Sequence, residues 1–272
     1  MTERSPRASD ANALYVYAVC RTEDRLPLDG VPGVTRDAPV RPLSFGALTA
    51  IVQTVRAAEF TDEAWQERLA DEPELERYAR AHHEVVSAVA AHAPTVPLPL
   101  ATLYHGEDSA GLALTKESAR FHTALKRIAR HAEWGVKVYA AHAPQQRDSS
   151  PAEEPKAAAG PSRPAPGAGR AYLDRKRNLQ ARREQRQEDS LRVAEAVDAD
   201  MNRVATASRR LRTHGPAAAG DDRRVQVLNA TYLVAEHRAA ELALLAEALR
   251  ERTGAQIELS GPWVPYSFVG EV

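Results

Sequence analysis

The hydrophobic positions change period several times along the chain, and each change marks an element. Residues 14–20 (LYVYAVC) are apolar without interruption, the pattern of a strand buried on both faces and so central in its sheet. Residues 40–55 read as a hairpin pivoting near Gly46. An acidic helix is expected from about Thr61, with Thr61-Asp62 capping its start. The next helix is clearer: Leu75, Tyr78, Ala79, His82, Val86 and Val89 recur at three- and four-residue steps, with Glu76, Arg77, Arg80, His83, Glu84 and Ser87 opposite. Residues 94–104 (PTVPLPLATLY) must be extended, because each proline fixes its own φ and pushes its predecessor towards the β region. A third helix is expected from about Thr115 to His131, with Phe121, Leu125 and Ile128 inward. The first part of the chain is thus a compact α+β unit.

The second part begins with residues 134–140 (WGVKVYA), where Trp134, Val136 and Val138 share one face and Lys137 takes the other. A long, highly charged helical region spans residues 172–212 and can break once near Glu188, Asp189 and Ser190. Its second half carries Ala194, Val197, Met201, Val204 and Leu211, a short apolar seam suited to the domain's own sheet or to a partner helix. Residues 225–235 read as a strand, followed by a helix with Leu242, Leu245 and Leu249 inward and Gly254 at its end. A last strand places Ile257 and Leu259 inward. The order strand, helix, strand, helix, strand is a split βαβ, ferredoxin-like plan with an antiparallel sheet, so the fold class is α+β.

Two tracts have no such period. Residues 1–12 are polar and read as a disordered tail; residues 143–169, rich in Pro, Ala and Gly, read as a disordered insertion. The chain closes on GPWVPYSFVGEV. There Gly261-Pro262 should stop the strand, and Pro265 should hold the chain extended, with Tyr266 and Phe268 to one side and Ser267 to the other. Such a terminus is either an intramolecular clasp or part of a binding surface.

Composition narrows the function. A formal charge of −1 gives no reason to expect nucleic acid or an anionic membrane as partner. The basic run at 174–186 is diluted by nearby acids and has no interleaved aromatics to stack on bases. No stretch approaches the ~20 apolar residues of a membrane span. The one cysteine, Cys20, lies in the first apolar run and suits a reducing, cytoplasmic compartment. There is no phosphate loop, no dinucleotide glycine motif, no HExxH and no cysteine pair at metal spacing. His82, His83 and Glu84 are adjacent on a helix, ~100° apart, and cannot share a metal unaided. No catalytic, metal or cofactor site is therefore expected.

At the terminal GPW…PYSF, together with EWGVKVYA (133–140), LNATYLV (228–234), AYLDRKR (171–177) and LYVYAV (14–19), the sequence resembles the GvpF/GvpL family of gas vesicle proteins. The resemblance implies a cytoplasmic, two-domain accessory protein of gas vesicle formation that acts on the small shell protein GvpA and on other accessory Gvp proteins. It also implies an N-terminal domain at 13–131 and a C-terminal ferredoxin-like domain at 132–272. On that reading Trp134, Val136, Lys137, Val138, Arg175, Arg177, Trp263, Tyr266 and Phe268 contribute to a partner surface. In one departure, Pro99, Leu100 and Ala101 stand where similar chains carry Arg-Phe-Gly. The competing expectation is a regulatory protein that binds a small molecule in a polar pocket.

Overall fold

The computed structural model describes residues 12–21, 26–139, 168–213 and 225–270. Of the expected disordered stretches, residues 1–11 and 143–167 lie outside them, while Asn12 opens a strand and Ala168 and Gly169 open a helix. The chain divides into two compact units. The first takes the described residues up to Glu133, Leu233–Glu236 and those from Gly261 onward; the second takes the rest.

The first unit is built on the strand that the sequence marks as central. β1 (Asn12–Cys20) pairs antiparallel with β3 (Leu48–Arg56), which forms the expected hairpin with β2 (Arg41–Phe45). On the other side of β1 lie β4 (Thr95–Pro97) and the two-residue β5 (Leu103–Tyr104). Every β1 residue after Asn12 is buried. Strand alternation sends Ala13, Tyr15 and Tyr17 into one core and Leu14 and Val16 into the other; a bulge between Val16 and Ala18 then re-phases the strand, so that Ala18 and Cys20 join the first core and Val19 the second.

Helices cover both faces. α1 (Asp62–Ala70) packs Trp65 against one core, to which α2 (Glu72–Ala90) supplies Tyr78, Val85, Val86 and Val89. Both are capped as their sequences direct, Thr61 Oγ accepting from the Ala64 amide and Asp71 Oδ1 from the Glu74 amide, each at 3.3 Å. On the other face lie α3 (Glu107–Lys116) and α4 (Ser118–Ile128), parted at Glu117 with φ −97° and ψ 6°. α4 is the helix expected from Thr115 to His131, shorter at both ends, and α3 is a further helix that precedes it. The break lets Leu114 of α3 and Phe121, Leu125 and Ile128 of α4 reach one core.

The second unit has the ferredoxin-like order. β6 (His131–Tyr139), α5 (Ala168–Val204), β7 (Ala207–Arg210), β8 (Gln226–Ala235), α6 (Ala239–Thr253) and β9 (Gln256–Trp263) build a sheet ordered β7-β8-β6-β9. Two sequence readings change. The charged helix does not break near Ser190 but runs 37 residues, and it ends at Val204 instead of Arg212. Residues 207–210 form the fourth strand, β7, whose Ala-Ser-Arg-Arg has no apolar alternation because it is an exposed edge.

Ala194, Val197, Met201 and Val204 of α5 are buried, as are Leu242, Ala246 and Leu249 of α6. The apolar seam of α5 therefore packs within its own unit, while Leu211 lies beyond the helix and is 40% exposed. Asp198, on the same face as the seam, accepts from Tyr232 Oη of β8 at 2.5 Å and from Arg210 Nε of β7 at 2.9 Å, locking helix to sheet. α6 ends where expected, at Gly254, whose φ of 64° is left-handed. Among the described residues no helix is long and apolar enough to cross a membrane.

Candidate functional site

The last strand does not stop at Gly261-Pro262, as the sequence suggests; β9 continues through the cis Gly261–Pro262 bond to Trp263. The chain then turns. Residues 266–268 form one 3-10 turn instead of an extended segment. Ser267 is the anchor: its amide and its hydroxyl both donate to the Glu133 carboxylate, at 2.9 and 2.5 Å. Glu133 is only 7% exposed, and a buried carboxylate that accepts two donors is a strong, directional tie.

Around that tie the tail seats its apolar side chains in the first unit. Phe268 is 4% exposed, with the Arg127 guanidinium 6.0 Å from its ring centre. Val264 packs against one core and Val269 belongs to the other. This corrects the expectation that the segment from Gly261 onward is part of the C-terminal unit: the partners of its described residues include Glu133, α2 and α4.

Tyr266 and Trp263 remain at the surface, 38% and 50% exposed. Between them and the helix stands His83, its ring centre 6.0 Å from that of Tyr266 and 6.2 Å from that of Trp263. His83 is half-buried and not simply solvated; its Nε2 meets Ser87 Oγ at 3.3 Å. A groove of about 630 Å³ opens beside this cluster. Its walls are the C-terminal end of α2, the α4–β6 junction, Glu236 and residues 262–265. At the junction Arg130 has φ 57°, a left-handed conformation for a residue with a Cβ, and its carbonyl accepts the Glu236 amide at 2.9 Å. A second groove of about 360 Å³ lies between the 96–104 segment, α3 and α4, with Tyr266 and Val269 at its edge.

The other expected surface residues divide. Val136 and Val138 are fully buried, so they build the second unit's core and are withdrawn from any partner surface; Phe268 is withdrawn likewise. Trp134 is half-buried and Lys137 exposed. Arg177 is exposed on α5, 3.8 Å from Asp174, while the side chain of Arg175 lies outside the described residues. Among the described residues of that set, Trp263 and Tyr266 are brought together at the surface, both against His83. Sequence reasoning missed Glu133, Arg130 and the role of His83; Glu133 stands 134 positions from its partner Ser267, and no local pattern links them.

His82, next to His83, belongs to the interior. It is 4% exposed, its Nδ1 lies 2.9 Å from Tyr15 Oη, and burial pushes its pKa down to about 4. Among the described residues no three metal-ligating side chains converge.

The family described as "Gas vesicle synthesis protein GvpL/GvpF" matches residues 13–270. A curated relative, gas vesicle protein L of Streptomyces sp. (strain CB03234), is 35% identical over 270 residues, covering 94% of this chain and 92% of the relative. The fold is shared with the crystal structure of gas vesicle protein GvpF from Anabaena sp. PCC7120, with a TM-score of 0.61 at 12% identity, covering 96% of this chain and 97% of that one. GvpF from Microcystis aeruginosa gives a TM-score of 0.59 at 15% identity, with 95% and 99% covered.

Proposed function

This chain belongs to the GvpL/GvpF family of gas vesicle synthesis proteins, and we propose that within its gas vesicle role it is a non-enzymatic, cytoplasmic assembly factor that binds the shell protein GvpA and other accessory Gvp proteins. One observation carries this reading. Trp263 leaves half of its surface in solvent although the segment around it is tied down by the buried Glu133–Ser267 contact. A terminus that served only as a clasp would bury its largest ring; a rigidly held, exposed Trp is the kind of anchor that dominates protein interfaces.

Trp263 and Tyr266 form the centre of the surface, with Lys137 and Arg177 as exposed charges elsewhere on the chain. Such a surface needs no perturbed acid or base. The test is co-expression with GvpA. The wild-type chain should copurify with GvpA, and Trp263→Ala should lower the captured amount at least about tenfold, the usual cost of truncating a central aromatic. Unchanged circular dichroism and denaturation midpoint would show the variant to be folded. Full capture by that folded variant removes the tail from the binding surface.

A further inference from the structure

The groove beside Trp263 has a chemistry that its apolar rim does not suggest. The polar side chains on its wall include His83, His92, His131, Arg130 and Glu236, with Arg130 the one arginine or lysine among them. Two of the histidines are oriented by their own backbone: His92 Nδ1 lies 3.0 Å from the Ala88 carbonyl and His131 Nδ1 lies 2.8 Å from the Ala129 carbonyl. The Arg130 guanidinium is exposed and, among the described residues, has neither ion pair nor hydrogen bond. By contrast, many of the other arginines in this unit are paired: Arg41 with Glu107, Arg56 with Asp37, Arg77 with Glu74, and Arg120 with Glu117.

The backbone adds a second observation. Arg130 holds φ 57° where a glycine would be relaxed, a conformation that costs roughly 1–2 kcal/mol for a residue with a Cβ. Fold alone does not call for a long cationic side chain there. Proline at 262 and 265, alanines at 90, 91 and 93, and the exposed face of Trp263 line the rest of the groove, whose volume falls in the ~300–1,000 Å³ of ordinary ligand clefts.

We infer that this groove is the seat of an extended acidic segment of a partner protein, in which a carboxylate meets Arg130 and an adjacent aliphatic or aromatic side chain lies on Trp263. Opposite charge selects the occupant and the ring supplies apolar contact. The inference rests on the assembly-factor reading, naming the chemistry of what that surface receives.

The experiment uses the full chain and a defined probe, the peptide acetyl-Glu-Leu-Glu-Phe-Glu-amide, with its Gln-Leu-Gln-Phe-Gln counterpart as control. Binding is followed by the indole N–H resonance of Trp263, assigned with Trp263→Phe. The glutamate peptide should shift that resonance, bind about tenfold or more tightly than the glutamine peptide, and weaken as salt rises from about 0.05 to about 0.5 M. Arg130→Glu should abolish the preference, while Arg130→Lys keeps most of it. Equal affinity for the two peptides, full binding by Arg130→Glu, or no shift of the Trp263 resonance overturns the inference. Capture of GvpA by the wild type alongside any of those results leaves the assembly-factor reading standing; glutamate-selective binding without GvpA capture does the reverse.

Discussion

In the first unit the polar network buried around β1 is uncharged, and the buried carboxylate of Glu133 lies apart from it under the tail. Tyr15 meets His82, and Tyr17 Oη donates to Gln53 Oε1 at 2.5 Å while accepting the Val34 amide at 2.9 Å. Gln53 Nε2 in turn donates to the Thr35 and Ala38 carbonyls, and Gly33 passes so close that a Cβ there would lie 2.2 Å from Gln53 Oε1. In the second unit the corresponding tie is ionic: the Asp198 carboxylate holds Tyr232, Arg210 and, through Oδ1 at 3.1 Å, Asn202. The contrast follows from burial. A sheet covered by helices on both faces has no route by which a charge keeps contact with water, so its network must be neutral. The second network borders β7, an exposed edge where Arg210 remains 64% exposed, and there a carboxylate can be afforded a partner that is itself hydrated.

The two networks should therefore fail in different ways. The largest loss is expected from Asp198→Ala, which strands the Tyr232 hydroxyl, fully buried with its pKa raised chiefly by burial, and removes the helix-to-sheet tie. Because Arg210 is mostly solvated, its share is small, and about 3 kcal/mol is the expected cost in urea denaturation. An effect below about 1 kcal/mol would show that the network is ornamental to stability.

The neutral network should instead yield to acid. His82 titrates near 6.5 when unfolded and about 4 when folded, so as pH falls through that window the unfolded chain takes up a proton that the folded one refuses. Stability from this group is thus intact above about pH 6.5 and declines towards pH 4, on the order of 2–3 kcal/mol by pH 4.5. Denaturation across that range should show the slope in the wild type and lose it in His82→Gln, whereas Asp198→Ala should leave it unchanged. A slope that persists in His82→Gln assigns the acid sensitivity elsewhere.

A smaller effect of opposite sign sharpens the contrast. Ala101, whose amide donates to Tyr15 Oη at 3.1 Å, has φ 60°. That left-handed conformation is one that glycine adopts without strain. Ala101→Gly should stabilise the first unit by up to about 1 kcal/mol, the αL strain released less the entropy that glycine adds to the unfolded chain. A destabilised variant would mean that the methyl group is needed where it sits.

What the sequence made legible was whatever periodicity encodes. The uninterrupted run of β1 and the stop at Gly254 are local and stand as read, and so does the stripe of α2 except that Ala79 is exposed and Val85 is buried in its place. β7 was invisible because an edge strand of four mostly polar residues carries no alternation to detect. The parting of α3 from α4 at Glu117 was hidden because neither Gly nor Pro marks it. At the site, the aromatic tail announced itself, but which rings face out did not: Pro265 suggested an extended segment with Tyr266 and Phe268 together, whereas a 3-10 turn separates them and buries only Phe268. That turn depends on Glu133, and one acid in a strand looks like any other until its distant partner is placed.

Cys20 has 0% exposure, and burial raises its thiol to about 11. Among the described side chains of α5 from Leu173 to Asp189 all are exposed, Leu179 at 55% among them. At neutral pH a maleimide dye would therefore ignore the native sulfur and react at a single introduced thiol, Leu179→Cys. The bare half of the helix would become a flagpole on which fluorescence could report a neighbour's arrival, without first stripping the chain of its own cysteine.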